Sequence, residues 1–143
     1  MTRWLSLVLV LAGLGMLAGC APTGVGDPCT PENEPEGGYV IQEAYLETSS
    51  VQCRTRVCIV YGMEGSADPA ACASDPAHVG QPDCQGYVDD RVYCSCRCKA
   101  PAGVDTPTCE CPDGFECVEI LETGTDGIRG SYCVNSRVAD ELL

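Results

Sequence analysis

The chain has 143 residues, a formal net charge of −13 from 21 acidic and 8 basic side chains, one histidine and thirteen cysteines. A chain this acidic lacks the basic patch needed to neutralise phosphates, which argues against nucleic-acid binding and against peripheral attachment to anionic lipid through a basic face. Beyond the first stretch, large apolar residues are sparse, so burial alone will not offset chain entropy, and covalent staples are the expected remedy.

Residues 1–4 supply a positive start through Arg3, and residues 5–14 (LSLVLVLAGL) form an apolar run of signal-sequence length, too short to span a bilayer as a helix. Leu17, Ala18, Gly19 and Cys20 follow. This stretch resembles the lipobox of bacterial lipoproteins, matching it at all four positions. The resemblance implies that residues 1–19 are a signal peptide removed between Gly19 and Cys20. Cys20 then carries diacylglycerol on its sulfur and becomes the new N-terminus, anchored in the membrane through its acyl chains. Two or three chains hold a protein essentially permanently, where one holds it only marginally. Ala21 stands where an aspartate often marks inner-membrane retention, which favours the outer membrane of a Gram-negative bacterium, on its periplasmic face or the cell surface. Loss of Arg3 makes the mature chain one unit more negative, and twelve cysteines remain, an even set free to pair in an oxidising compartment.

Residues 20–36 are rich in Pro, Gly and Glu without apolar periodicity, and read as a lipidated N-terminus and flexible tether pinned once, at Cys29. Glu32, Glu34 and Glu36 read as a solvated acidic strip. A single disulfide-stapled domain is expected over residues 37–135. Residues 39–47 (YVIQEAYLE) fit a short helix or a strand equally. Residues 51–61 (VQCRTRVCIVY) read as a strand, with Val51, Cys53, Thr55, Val57, Ile59 and Tyr61 on one face and Arg54 and Arg56 on the other. Residues 63–86 form the loosest part, where prolines, glycines and two Asp-Pro pairs argue against regular structure, and Cys72 and Cys84 are placed to staple the loop down.

Residues 87–99 read as a further strand holding Cys94, Cys96 and Cys98. Side chains two apart in a strand point the same way, so the three sulfurs should share a face, should not pair with one another, and should send three bridges to three other places. The competing use of such a run is a thiolate metal cluster, for which the chain lacks a Cys-x-x-Cys knuckle. Residues 109–117 (CECPDGFEC) are similar, at Cys109, Cys111, Gly114, Phe115 and Cys117, to the C-terminal half of an epidermal-growth-factor-like module. The final gap is shorter than that family has and its calcium-binding consensus is missing, so the resemblance implies the Gly-aromatic turn alone. Residues 115–121 and 131–135 read as a hairpin that includes Cys133, joined by a glycine-rich turn, and residues 136–143 as a frayed tail.

No catalytic constellation assembles. His78 sits in the loose loop near Asp75 and Asp83 and reads as an exposed histidine without a role; no serine has a nucleophile-elbow pattern, there is no redox Cys-x-x-Cys, and the turn at residues 124–130 lacks the context of a phosphate loop. The reading is therefore a small, mostly β, disulfide-rich domain with little or no helix after the signal segment. It is expected to be non-enzymatic, to need no cofactor or metal, and to act as a lipid-anchored binding or structural module facing an envelope partner. The alternative is a small inhibitor or ligand-trapping domain that presents residues 63–86. Replacing Cys20 by alanine should leave the precursor unprocessed and unacylated. Trimming after Gly19 with acylation in that variant would contradict the lipobox reading.

Overall fold

The computed structural model describes residues 24–75, 78, 83–121 and 124–142; the signal segment and Cys20 lie outside the described residues. Among the described residues, six strands and three short helices follow in the order β1 (Ala44–Glu47), β2 (Val57–Tyr61), α1 (Pro69–Cys72), α2 (Cys84–Asp89), β3 (Val92–Ser95), β4 (Arg97–Lys99), β5 (Phe115–Leu121), β6 (Gly130–Asn135) and α3 (Ser136–Leu142). They make two antiparallel three-stranded sheets, ordered β1-β2-β3 and β4-β6-β5. This is the small, mostly β, disulfide-rich domain that the composition calls for, with more helix than expected.

In the first sheet Ile59 faces Tyr93 and Val60 faces Val92 across the β2–β3 ladder. Because side chains alternate, these pairs point to opposite sides. Val60 and Val92 join Tyr39, Met63 and Val88 in one cluster, while Ile59 and Tyr93 join Tyr132, Val134 and Ala139 in another. Both faces of the sheet are thus covered, one by the segment after β2 and the other by the second sheet. That explains why Val57–Tyr61 (VCIVY) reads as a nearly continuous apolar run rather than an alternating one.

The single extended run expected over residues 51–61 and again over 87–99 is cut in both places. Before β2 the chain turns, with Arg56 at φ 65° and its N–H donating to the Cys53 carbonyl at 3.0 Å, so Cys53 is buried from a turn and not from a strand face. Residues 84–89 are helix, since Asp83 caps α2 by accepting from the Gly86 N–H at 2.9 Å. Asp68 likewise caps α1 by accepting from Ala70, with Pro69 at the first helical position. The Asp-Pro pair read as a breaker is a helix start, because proline forbids helix only where its missing N–H is needed. The ambiguous residues 39–47 divide: Ala44–Glu47 pair with β2, and Tyr39 makes an isolated bridge with Gly65. Gly38 and Gly65 must be glycines there, since a Cβ on Gly38 would lie 2.7 Å from the Gly65 backbone and both have positive φ.

Residues 26–28 of the expected tether are laid along β3. Gly26 donates to the Cys94 carbonyl at 2.9 Å, Cys94 donates back to Asp27 at 2.7 Å, and Pro28 bridges Tyr93. Gln52 and Thr30 exchange two hydrogen bonds further along. These contacts cover the otherwise bare edge of β3. Glu32, Glu34 and Glu36 are exposed, as a solvated strip should be, and Glu34 in addition accepts from the Ser66 hydroxyl and the Ala67 N–H.

The tail is a helix, not a frayed end. Asn135 caps it by accepting from the Arg137 N–H, and its own N–H donates to the Tyr93 hydroxyl at 2.7 Å. Val138 and Ala139 are buried, with the Val138 side chain so close to Gly62 that a Cβ there would clash. Arg91 reaches the helix through Glu141, and Arg137, from the helix, reaches Asp90 at the end of α2. Val138→Ala should therefore lower the unfolding free energy by about 2 kcal/mol, from lost transfer energy and the cavity left behind. A denaturant titration in which this variant matches the parent would mean that the tail is undocked.

Candidate functional site

The twelve cysteines after Cys20 form six pairs: Cys29–Cys58, Cys53–Cys94, Cys72–Cys84, Cys96–Cys109, Cys98–Cys117 and Cys111–Cys133. The Cys94, Cys96 and Cys98 run sends its bridges to three separate places, as strand geometry requires. The three cysteines do not share one strand, however. The chain passes from the first sheet to the second at Cys96, the residue between β3 and β4. Cys133 N–H donates to the Cys96 carbonyl at 3.1 Å, and the buried Ser95 hydroxyl donates to the Cys133 carbonyl at 2.7 Å.

Sulfurs of neighbouring bridges crowd together in three groups: Cys29 with Cys53 and Cys94, Cys133 with Cys96 and Cys109, and Cys111 with Cys98 and Cys117. Each group is one bridge plus a sulfur of the next. Metal ligation uses the thiolate, and a sulfur already joined in a disulfide is no longer one. The turn expected from the growth-factor-like stretch is present, with Gly114 at φ 86° and Phe115 donating to the Pro112 carbonyl.

His78 is buried, contrary to its reading as an exposed loop residue. Its Nε2 lies 2.7 Å from the Glu64 carbonyl oxygen, and its ring packs 4.5 Å from that of Tyr87. The Tyr87 hydroxyl accepts from the Glu64 N–H. His78 thus ties residues 63–66 to α2, a positioning role. Met63, at the start of the supposed loose loop, is wholly buried. Tyr39 belongs to the same cluster, and burial, then the charges of Glu34 and Glu47, push its hydroxyl up to about 12.

The feature that the sequence reading passed over is a cleft of about 370 Å³ between the turn at Thr55, β4, residues 106–109 and the β5–β6 connection. Arg97 enters it. Its Nη1 donates to the Thr106 hydroxyl at 2.9 Å, its Nη2 donates to the Gly127 carbonyl and to the Tyr132 hydroxyl, and its guanidinium lies 5.7 Å from the Tyr132 ring centre. Tyr132 is held in turn by donating to the Ile128 carbonyl. Gly130 allows β6 to pass this close, because a Cβ there would lie 2.4 Å from the Lys99 carbonyl oxygen. Two polar atoms at the cleft, Arg97 Nε and Thr55 Oγ1, are buried without a hydrogen-bond partner. The signal available in the sequence was the arginine itself, lodged between Cys96 and Cys98 in a chain short of cations. The threonines around it carry no recognisable pattern.

No protein-family model, curated protein or solved structure matches the chain. The bridge pattern itself makes a specific demand on chain cleavage. Of the six bridges, Cys53–Cys94 alone joins the part before residue 64 to the part after residue 71. A single nick between those positions should leave one species under denaturing, non-reducing conditions. The same nick in a C53S/C94S double variant should release two fragments. One species from the nicked double variant would disprove this connectivity.

Proposed function

We propose that the chain is a lipid-anchored, non-enzymatic binding module of the bacterial cell envelope, held in the outer membrane through Cys20. The observation that supports this most directly is the six-bridge frame, which uses every cysteine after Cys20 and suits an exported protein in an oxidising compartment. Bridges fix the backbone where the apolar core is thin, and a fixed backbone lets surface loops and clefts stay in place for a partner. The engagement of the one histidine as a buried tie to the Glu64 backbone supports the non-enzymatic reading.

The fold also changes how the anchor is pictured. Gly24, the first described residue, is already buried, so at most four peptide units separate Cys20 from the domain body. Fully extended, they reach about 14 Å. On this reading the module rides close to the bilayer surface, with residues 24–36 serving as part of the domain instead of a leash. The alternative, an inhibitor presenting residues 63–86, receives less support: Met63 and Cys72 are buried, and His78 turns inward.

Fractionation of cells making the full precursor tests the proposal. The wild-type chain should sediment with membranes and take up no alkylating agent under denaturing, non-reducing conditions. Cys20→Ala should remain as unprocessed precursor, with the same six bridges where it is exported. Recovery of the wild type in the cytosol with alkylatable thiols would overturn the proposal.

A further inference from the structure

We propose that the Arg97 cleft is a binding site for a small monocarboxylate with a short apolar body. The starting point is a mismatch in charge. The chain carries 21 acids against 8 basic residues, so a described arginine should find a carboxylate easily. Arg91, Arg129 and Arg137 do, with Glu141, Asp126 and Asp90. Arg54 and Arg56 are exposed, where water solvates them and salt screens their charges. Arg97 is half-buried and, among the described residues, meets no carboxylate, and none lines the cleft around it. Its neighbours are neutral acceptors, a threonine hydroxyl, a backbone carbonyl and a tyrosine hydroxyl, which hold the guanidinium in place and leave its charge unspent.

A positive charge partly withdrawn from water without a counter-ion costs free energy, and an anion entering the cleft relieves that cost. The unpartnered Arg97 Nε and Thr55 Oγ1 show that polar capacity at the same place is incompletely used. The guanidinium is already ordered by its contacts to Thr106, Gly127 and Tyr132, so a ligand need not pay to immobilise it.

The chemistry of the lining narrows the anion. There is one guanidinium and no second cation, which matches one negative charge; a phosphate dianion would bring a charge that nothing here balances, against a strongly negative protein. A planar carboxylate fits a guanidinium better than a point charge does. Thr55, Thr106 and Thr108 add hydroxyls, while Val57, Pro107 and the Tyr132 ring add apolar surface for a short carbon chain. About 370 Å³ lies at the small end of ligand pockets, room for a small molecule and not for a polymer segment. The inference is separate from the anchoring proposal, since it makes no use of Cys20, and acylation should leave it unchanged.

The test is a two-dimensional NMR titration of the exported, fully oxidised chain in detergent with sodium butyrate, neutral butyramide and inorganic phosphate as probes. Butyrate should saturate, with the largest shifts at the Arg97 Nε–H and the Thr55 and Thr106 amides. Butyramide and phosphate should each bind at least about tenfold more weakly, as expected when one charge-assisted contact is lost or the extra charge is unbalanced. Arg97→Gln should weaken butyrate by a similar factor, and Arg137→Gln, remote from the cleft, should not. Intact mass and amide dispersion establish that Arg97→Gln retains six bridges and the fold. If it does not, Thr55→Val serves, since it keeps the guanidinium and should weaken butyrate measurably. Equal binding of butyramide, tighter binding of phosphate, full affinity in the folded Arg97→Gln variant, or no saturation by butyrate below roughly 100 mM would each overturn the proposal.

Discussion

The passage of one extended run from the first sheet into the second, at Ser95 and Cys96, is the constraint on which the remaining structure depends. Each three-stranded sheet needs an apolar face to be covered if it is to be stable. Sharing the run Val92–Lys99 brings Ile59 and Tyr93 of one sheet against Tyr132 and Val134 of the other, so that each supplies the cover that the other lacks. The buried Ser95 hydroxyl and the Cys96 carbonyl, both bonded to the backbone of Cys133, fix the angle of this crossing. Bridges from Cys94, Cys96 and Cys98 then lock the run to the Cys53 turn, to residue 109 and to β5. Each bridge removes unfolded-state freedom worth about 3 kcal/mol in the chain-entropy account, which matters where apolar burial is modest.

The same crossing produces the cleft. Because β4 leaves β3 and turns to pair with β6, Arg97 swings over Tyr132 and away from the water-exposed acids of the surface. Cys109 donates its N–H to the Arg97 carbonyl and bridges Cys96, so residues 106–109 must lie alongside. The cleft is therefore bounded by backbone that two bridges and a strand ladder hold still. A cleft built from covalently restrained backbone needs little core to support it, which reconciles a thin interior with a defined surface shape.

A second group of polar contacts secures the other end of the molecule. His78, Tyr87 and the Glu64 backbone join residues 63–66 to α2, and Arg91 spans from the Gly62 carbonyl to Glu141 of α3. Arg91 also lies 4.1 Å over the Tyr87 ring. These ties connect the segment between β2 and α2 to the C-terminal helix. That segment and helix cover opposite faces of the first sheet, so the sheet is enclosed although the chain has few large apolar residues to spend on it.

What the residues alone disclosed were properties that depend on local chemistry: the β-rich, stapled class, the hairpin of Phe115–Leu121 with the strand near residue 131, the expectation that Cys94, Cys96 and Cys98 do not bridge to one another, and the even set of twelve cysteines left after Cys20. Alternation, strand reach and counting are sufficient for these. Helix α3 and the helical residues 84–89 were missed because six or seven residues carry too little periodicity to stand out, and their stability comes from an Asn135 or Asp83 cap and from burial against elements distant in the chain. The inward turn of His78, the packing of residues 26–28 on β3 and the isolation of the Arg97 charge depend on which segments meet after the crossing at Cys96. A sequence states each side chain's chemistry, but the cost or gain of that chemistry is set by its neighbours, and here those neighbours arrive from dozens of residues away.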